Sequence, residues 1–88
     1  MKYTVTWRPS AARRLSEIWL EASERTAVTD ASNSIDSLLA LCPHDQGEER
    51  DLATRILIVS PLAVVYEINE DDRRVTILSI RHTPSKHQ

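Results

Sequence analysis

Three patterns predict an α+β domain, a two-helix hairpin packed on a small antiparallel sheet in the order β-α-α-β-β-β. A short alternating stretch opens the chain, two stretches with apolar residues at helical spacing follow, and the second half holds three β-rich runs. The most apolar is R-I-L-I-V-S-P-L-A-V-V-Y-E-I, Arg55 to Ile68, interrupted only by Ser60-Pro61. A break that short admits only a tight turn, and proline presets the φ of a turn's second position. Both halves are apolar on both pleat faces, which marks central strands covered on two sides.

The first strand is read from Lys2 to Trp7, K-Y-T-V-T-W, with Tyr3, Val5 and Trp7 on one face and threonines on the other. Strict alternation with high β propensity places it at a sheet edge. Arg8-Pro9-Ser10 stops it, and either Ser10 caps a helix or Pro9 occupies its first turn. The first helix then carries Ala12, Leu15, Ile18, Trp19 and Ala22 on one stripe, with Arg13, Arg14, Glu17, Glu21 and Glu24 turned outward. No i,i+4 ion-pair lattice supports it, so burial of the stripe must hold it. A second helix is expected from an N-cap at Thr26, with Asp30 near its positive end, to Pro43. Its stripe is Val28, Ala31, Ile35, Leu38, Leu39 and Cys42, which makes Cys42 a core thiol.

His44 to Asp51 has no apolar residue and holds the only glycine, Gly47, so it reads as a loop with Gly47 at positive φ. The central hairpin follows, then a turn at Asn69 to Asp72 and a last strand from Arg74 to Arg81. His82 to Gln88 has no pattern and reads as a tail. At 88 residues the chain forms one domain, residues 1–88, of modest stability. One cysteine, no visible signal peptide and no membrane-length apolar run point to a soluble cytoplasmic protein.

The net charge of −2 hides an uneven distribution. Acids gather at Asp45, Glu48, Glu49 and Asp51 and again at Glu67, Glu70, Asp71 and Asp72, whereas from Arg73 onward there is none. The basic end (Arg73, Arg74, Arg81, His82, Lys86, His87) is either a solvated tail or a local phosphate contact, and the sum argues against tight nonspecific nucleic-acid binding. Cys42-Pro43-His44 is too isolated to hold zinc, and no phosphate-cradling glycine loop or Ser/His/Asp set is present, so no cofactor or metal is expected.

The element order carries a particular set of words. They are Y-x-V-x-W at the start, A-x-x-x-L-x-x-I-W (Ala11, Leu15, Ile18, Trp19), I-D-x-L (Ile35 to Leu38) and P-x-x-x-G-E (Pro43, Gly47, Glu48). The sheet adds R-x-L (Arg55, Leu57), V-V-Y-E-I (Val64 to Ile68), V-x-I-L-x-I (Val75 to Ile80) and Arg81-His82. In this order they resemble the RelE/ParE superfamily of bacterial type II toxin–antitoxin systems, known also as plasmid stabilisation proteins. The resemblance covers nearly the whole chain and rests on order and spacing more than on any one word.

It implies a toxin that arrests growth until a cognate antitoxin, whose extended segment wraps helices and sheet, neutralises it. Two activities are implied. RelE-like members cut mRNA on the ribosome without a metal; ParE-like members poison DNA gyrase and are not nucleases. For the nuclease, Arg55, Arg81 and His82 are the candidate catalytic residues, with Glu48 a weaker base candidate. Such chemistry needs a base at the 2′-hydroxyl, an acid for the leaving oxygen and cations for the phosphate, and histidine titrates in the right range. The sequence departs from that branch at Ala63, where RelE-like nucleases carry an arginine three residues before the sheet tyrosine, and in the acidic 45–49 loop. The departures place the chain nearer the ParE-like branch, where Arg81, His82 and Lys86 near the C-terminal end are the candidate target-binding residues. An inactive member retaining only fold and partner binding is the third reading, and a homodimer of the free chain is compatible with all three. Structural readings stand beside the functional ones: Arg55 can pair with Glu67 across the hairpin, Tyr66 can be a packed strand aromatic, and His82 can be solvated.

Overall fold

The computed structural model describes residues 2–49 and 54–83. Its elements are β1 (Thr4–Trp7), α1 (Pro9–Glu21), α2 (Arg25–Leu41), β2 (Glu48–Glu49), β3 (Thr54–Val59), β4 (Leu62–Asn69) and β5 (Arg74–His82). They form one five-stranded sheet in the order β1-β5-β4-β3-β2, with both helices on one face. The α+β class and the helical hairpin on the sheet follow the sequence reading. Two features go beyond it: β1 runs parallel to β5, with Val5 beside Val75, and the acidic loop contributes a two-residue strand. The long α1–α2 excursion carries the chain back to the start of the sheet, which is what a parallel neighbour requires.

Pro9 begins α1 at a first-turn position, where its missing N–H costs nothing. The buried stripe is Ala11, Leu15, Ile18 and Ala22, so the inward alanine is Ala11 and not Ala12, which is exposed. The helix ends where Ala22 turns extended, and its last carbonyls are met from the next helix. Arg25 donates from Nε to the Trp19 carbonyl (3.1 Å) and from Nη2 to the Leu20 carbonyl (2.9 Å) while lying over the Trp19 ring at 4.7 Å. One side chain thus caps α1, stacks on its last aromatic and starts α2. The N-cap of α2 is Glu24, without a side-chain bond, and not Thr26, because this arginine clamp already fixes the helix start.

Val28, Ala31, Ile35 and Leu39 form the buried inner face of α2 and join one core cluster with Leu57, Leu62, Val64, Tyr66, Val75, Ile77 and Ile80 of the sheet. Each such aliphatic side chain contributes about 1.5–3 kcal/mol on burial. Cys42 does not join them. It is the exposed C-cap residue, its φ of −139° having left the helix, so the chain turns outward one residue before the stripe would repeat. The Trp7 indole donates to Asp36 Oδ1 (3.0 Å) and binds β1 to α2. No helix among the described residues is long and apolar enough to cross a membrane.

Candidate functional site

The β3–β4 turn consumes only Ser60 and Pro61, so Val59 pairs with Leu62 and the register runs back to Arg55 opposite Tyr66 and Thr54 opposite Glu67. Side chains directly opposite share a face. The row containing Arg55 and Tyr66 therefore belongs to the helix side, with Leu57 and Val64 next to it.

Arg55 does not pair with Glu67, as the sequence allowed; the register sets these residues on opposite faces. Its guanidinium donates to the backbone of the 43–47 loop, from Nε to the Gln46 carbonyl (3.2 Å) and from Nη2 to the Gly47 carbonyl (3.4 Å). Tyr66, fully buried, places its hydroxyl 2.8 Å from the Gln46 carbonyl and 2.9 Å from that of Pro43. Burial raises the Tyr66 pKa above the ordinary phenol value, and the nearby Arg55 charge only partly offsets this. The phenol therefore stays a proton-bearing donor at neutral pH. Gly47 sits at φ +65° as the sequence predicted, with a Cβ position only 2.2 Å from the Ile56 carbonyl oxygen. Arg55, Tyr66 and Gly47 together lay Glu48 and Glu49 along β3 as β2.

Arg81 lies elsewhere. Counting back from the β4–β5 turn, Asn69 pairs with Arg74 and Tyr66 with Ile77, but Val65 pairs with Ser79. Leu78 is an extra residue, a β-bulge. A bulge shifts all that follows by one position and so exchanges faces. Past it, Ile80 points into the core, and Arg81, opposite Ala63, points to the face without helices. Were Leu78 paired in regular alternation instead of bulged, Arg81 would stand opposite Leu62 on the helix side, the face that holds Arg55. The sequence showed both arginines; the bulge that parts them had no glycine or proline to announce it.

On the open face Arg81 borders a shallow pocket of about 140 Å³ lined by Ile56, Ala63, Val65, Ser79 and Ile80 as well as itself. Among the described residues nothing pairs with its guanidinium. His82 falls opposite Leu62 at the strand end, half-buried, next to Thr83, whose N–H donates to the Pro61 carbonyl (2.6 Å). Glu48 is exposed on β2. Lys86 lies outside the described residues. The three candidates for cleavage are thus not gathered: Arg55 is held on the helix side, Arg81 lies on the other face with no partner among the described residues, and His82 points away from its neighbour Arg81.

Two further features were not singled out from the sequence. Between α1 and α2 runs an uncharged groove of about 400 Å³ lined by Leu15, Ser16, Trp19, Leu20, Val28, Thr29 and Ser32. Trp19 and Leu20 are two of the most exposed large apolar residues, and Trp19 is fixed by an indole bond to Thr29 Oγ1 (3.1 Å). At the other end of the molecule, Glu70 of the β4–β5 turn accepts from the Tyr3 hydroxyl (3.0 Å) and pairs with His44 Nε2. These contacts hold the Glu70 carboxyl below its ordinary pKa, the His44 bond contributing most and the Tyr3 bond next. No group of three or more metal-ligating side chains occurs among the described residues.

No protein-family model matches the sequence, and no curated protein sequence matches it significantly. Solved structures do. The chain is similar to the toxin–antitoxin complex RelBE2 from Mycobacterium tuberculosis, with a TM-score of 0.80 at 19% identity over 97% of this chain and 95% of that one. It is similar to the chromosomal ParDE system of P. aeruginosa, with a TM-score of 0.72 at 18% identity over 92% and 96% of the two chains. It also matches the isolated E. coli RelE toxin, with a TM-score of 0.66 at 12% identity over 98% and 88%. This is the fold of RelE and ParE toxins. Both branches of the RelE/ParE fold are represented among these neighbours, at identities too similar to choose between them. The choice falls to the site.

Proposed function

We propose that the chain is the toxin of a type II toxin–antitoxin pair, neutralised by a cognate antitoxin, and that it acts as ParE-like members do, by binding DNA gyrase without catalysis. The likeness to toxin–antitoxin complexes over almost the whole chain supports the first part. The observation that carries the second is the separation of Arg55 and Arg81 onto opposite faces of the sheet. Metal-free cleavage of RNA needs base, acid and phosphate-binding cations within reach of one phosphate. Here Arg55 is engaged with loop carbonyls, and Ala63 leaves the row beside Arg81 without a second cation. Binding through Arg81, His82 and the C-terminal Lys86 needs no such convergence. The uncharged groove between the helices is the surface an antitoxin helix would cover.

The test is inducible expression in a bacterium with and without the adjacent small open reading frame, following growth, transcript ends and DNA-damage signalling together. The proposal expects arrest with intact messages and an induced damage response, relieved by the neighbouring gene product. Arrest with new cuts inside translated messages would make the protein a RelE-type nuclease. Normal growth would mean that only the fold and partner binding remain.

A further inference from the structure

The open face of the sheet is ordered in two parallel rows. Ile58, Ala63 and Arg81 stand side by side on β3, β4 and β5, and Ile56, Val65 and Ser79 form the next row. Each row is aliphatic at its β3 end and polar at its β5 end. Arg81 and Ser79, two apart on one strand, direct a guanidinium and a hydroxyl to the same rim of the pocket, while Ile58 at the far end is 64% exposed.

From this arrangement we infer that the open face is a docking site for an extended peptide segment with one carboxylate side chain and an aliphatic residue two positions away. The carboxylate is taken by Arg81 in the forked geometry guanidinium favours, with Ser79 donating to its second oxygen. The aliphatic residue covers Ile56 and Ile58. β5 and β3 are about 10 Å apart, two interstrand spacings, and same-side residues of an extended segment are about 6.7 Å apart. With the reach of the two side chains, that spacing bridges the polar and aliphatic ends.

Charge and shape select this occupant over single-stranded RNA. Sites for single strands line up several cations along the phosphates and offer aromatic faces to the bases. The pocket has one guanidinium and no aromatic lining, since the polar groups of Tyr66 and Trp7 bond on the helix side. The inference stands on this face alone and does not depend on toxicity.

The test uses the full-length protein, followed by amide NMR shifts during titration with the capped peptide acetyl-Ile-Ser-Glu-amide, its Gln analogue, and a pentameric oligouridylate. The expected result is saturable shifts at Ala63, Val65 and Ser79 with the Glu peptide. The Gln analogue should bind about tenfold more weakly, and the same loss should follow Arg81→Gln. Arg81 is exposed and unpaired among the described residues, so this variant keeps its fold, which its own spectrum verifies. Equal binding of the two peptides, no shift on the open face, or tighter binding of the oligouridylate at these residues would each overturn the inference.

Discussion

Arg55 and Tyr66 face each other across β3 and β4, and both reach the carbonyl of Gln46. A cation and a phenol side by side invite a catalytic reading, yet both spend their hydrogen bonds on the loop that leads into β2. Replacing Tyr66 by Phe should lower unfolding stability by about 1–2 kcal/mol, because buried carbonyls lose their donor. Urea denaturation gives the magnitude. If the hydroxyl serves only the loop, Tyr66→Phe should have the same effect on growth as the parent protein when both are expressed at equal soluble level.

Gly47 ties the same loop to the sheet by what it lacks. Gly47→Ala would set a methyl 2.2 Å from the Ile56 carbonyl oxygen at a φ that disfavours any side chain. A cost of about 2–4 kcal/mol is expected from strain plus overpacking. Thermal unfolding should show a lowered Tm, and hydrogen exchange should show lost protection at Ile56, whose strand loses its β2 neighbour.

The helical hairpin depends on Arg25. Arg25→Ala removes two bonds to the last carbonyls of α1 and the stacking on Trp19. A loss of about 1–2 kcal/mol is expected, with Trp19 fluorescence shifted as its ring loses the guanidinium cover. Arg25→Lys should recover only part of it, since an ammonium cannot match the planar fork.

Much of this could be read from the chain. The helical stripes, the edge strand, the turn at Ser60-Pro61 and positive φ at Gly47 all follow from spacing and residue chemistry. So does the Arg55–Tyr66 row, because a two-residue turn fixes the register, and pairing Arg55 with Glu67 would need a slip of one residue. Cys42 and Ala12 were misplaced because helical periodicity does not tell where a helix stops or which of two adjacent alanines faces in. The parallel pairing of β1 with β5 is set by the packing of the hairpin and leaves no local mark. The position of Arg81 was not legible for a related reason: a bulge at a leucine has no residue signature.

Acid should loosen the end of the molecule that holds Tyr3, His44 and Glu70. The folded Glu70 pKa lies below its ordinary 4.5, so its ionised form is the one the fold prefers. The sign follows by linkage: its contribution is complete above the ordinary carboxylate value and is lost as pH falls through the lower folded value. The parent and Glu70→Gln should therefore differ in Tm at neutral pH and converge in acid. A gap that persisted below the folded value would remove Glu70 from the explanation. The difference should be small, since all three side chains are solvent-accessible.

The bulge itself can be tested by removing it. Deleting Leu78 would join Ile77 to Ser79 and give β4 and β5 unbroken pairing, with Ser79 still opposite Val65, Ile80 opposite Val64 and Arg81 opposite Ala63. Ile80, now 6% exposed, would stay in the core, and Arg81 would stay on the open face. The deletion removes one half-buried leucine and straightens a local kink, so a loss of about 1–2 kcal/mol is expected. Calorimetry should therefore still show cooperative unfolding, at a lowered Tm. Adding Arg81→Leu to the deletion should change Tm little further, since the guanidinium is exposed in both forms. Loss of the cooperative transition in the deletion alone would mean that the residues after the bulge had not kept their faces.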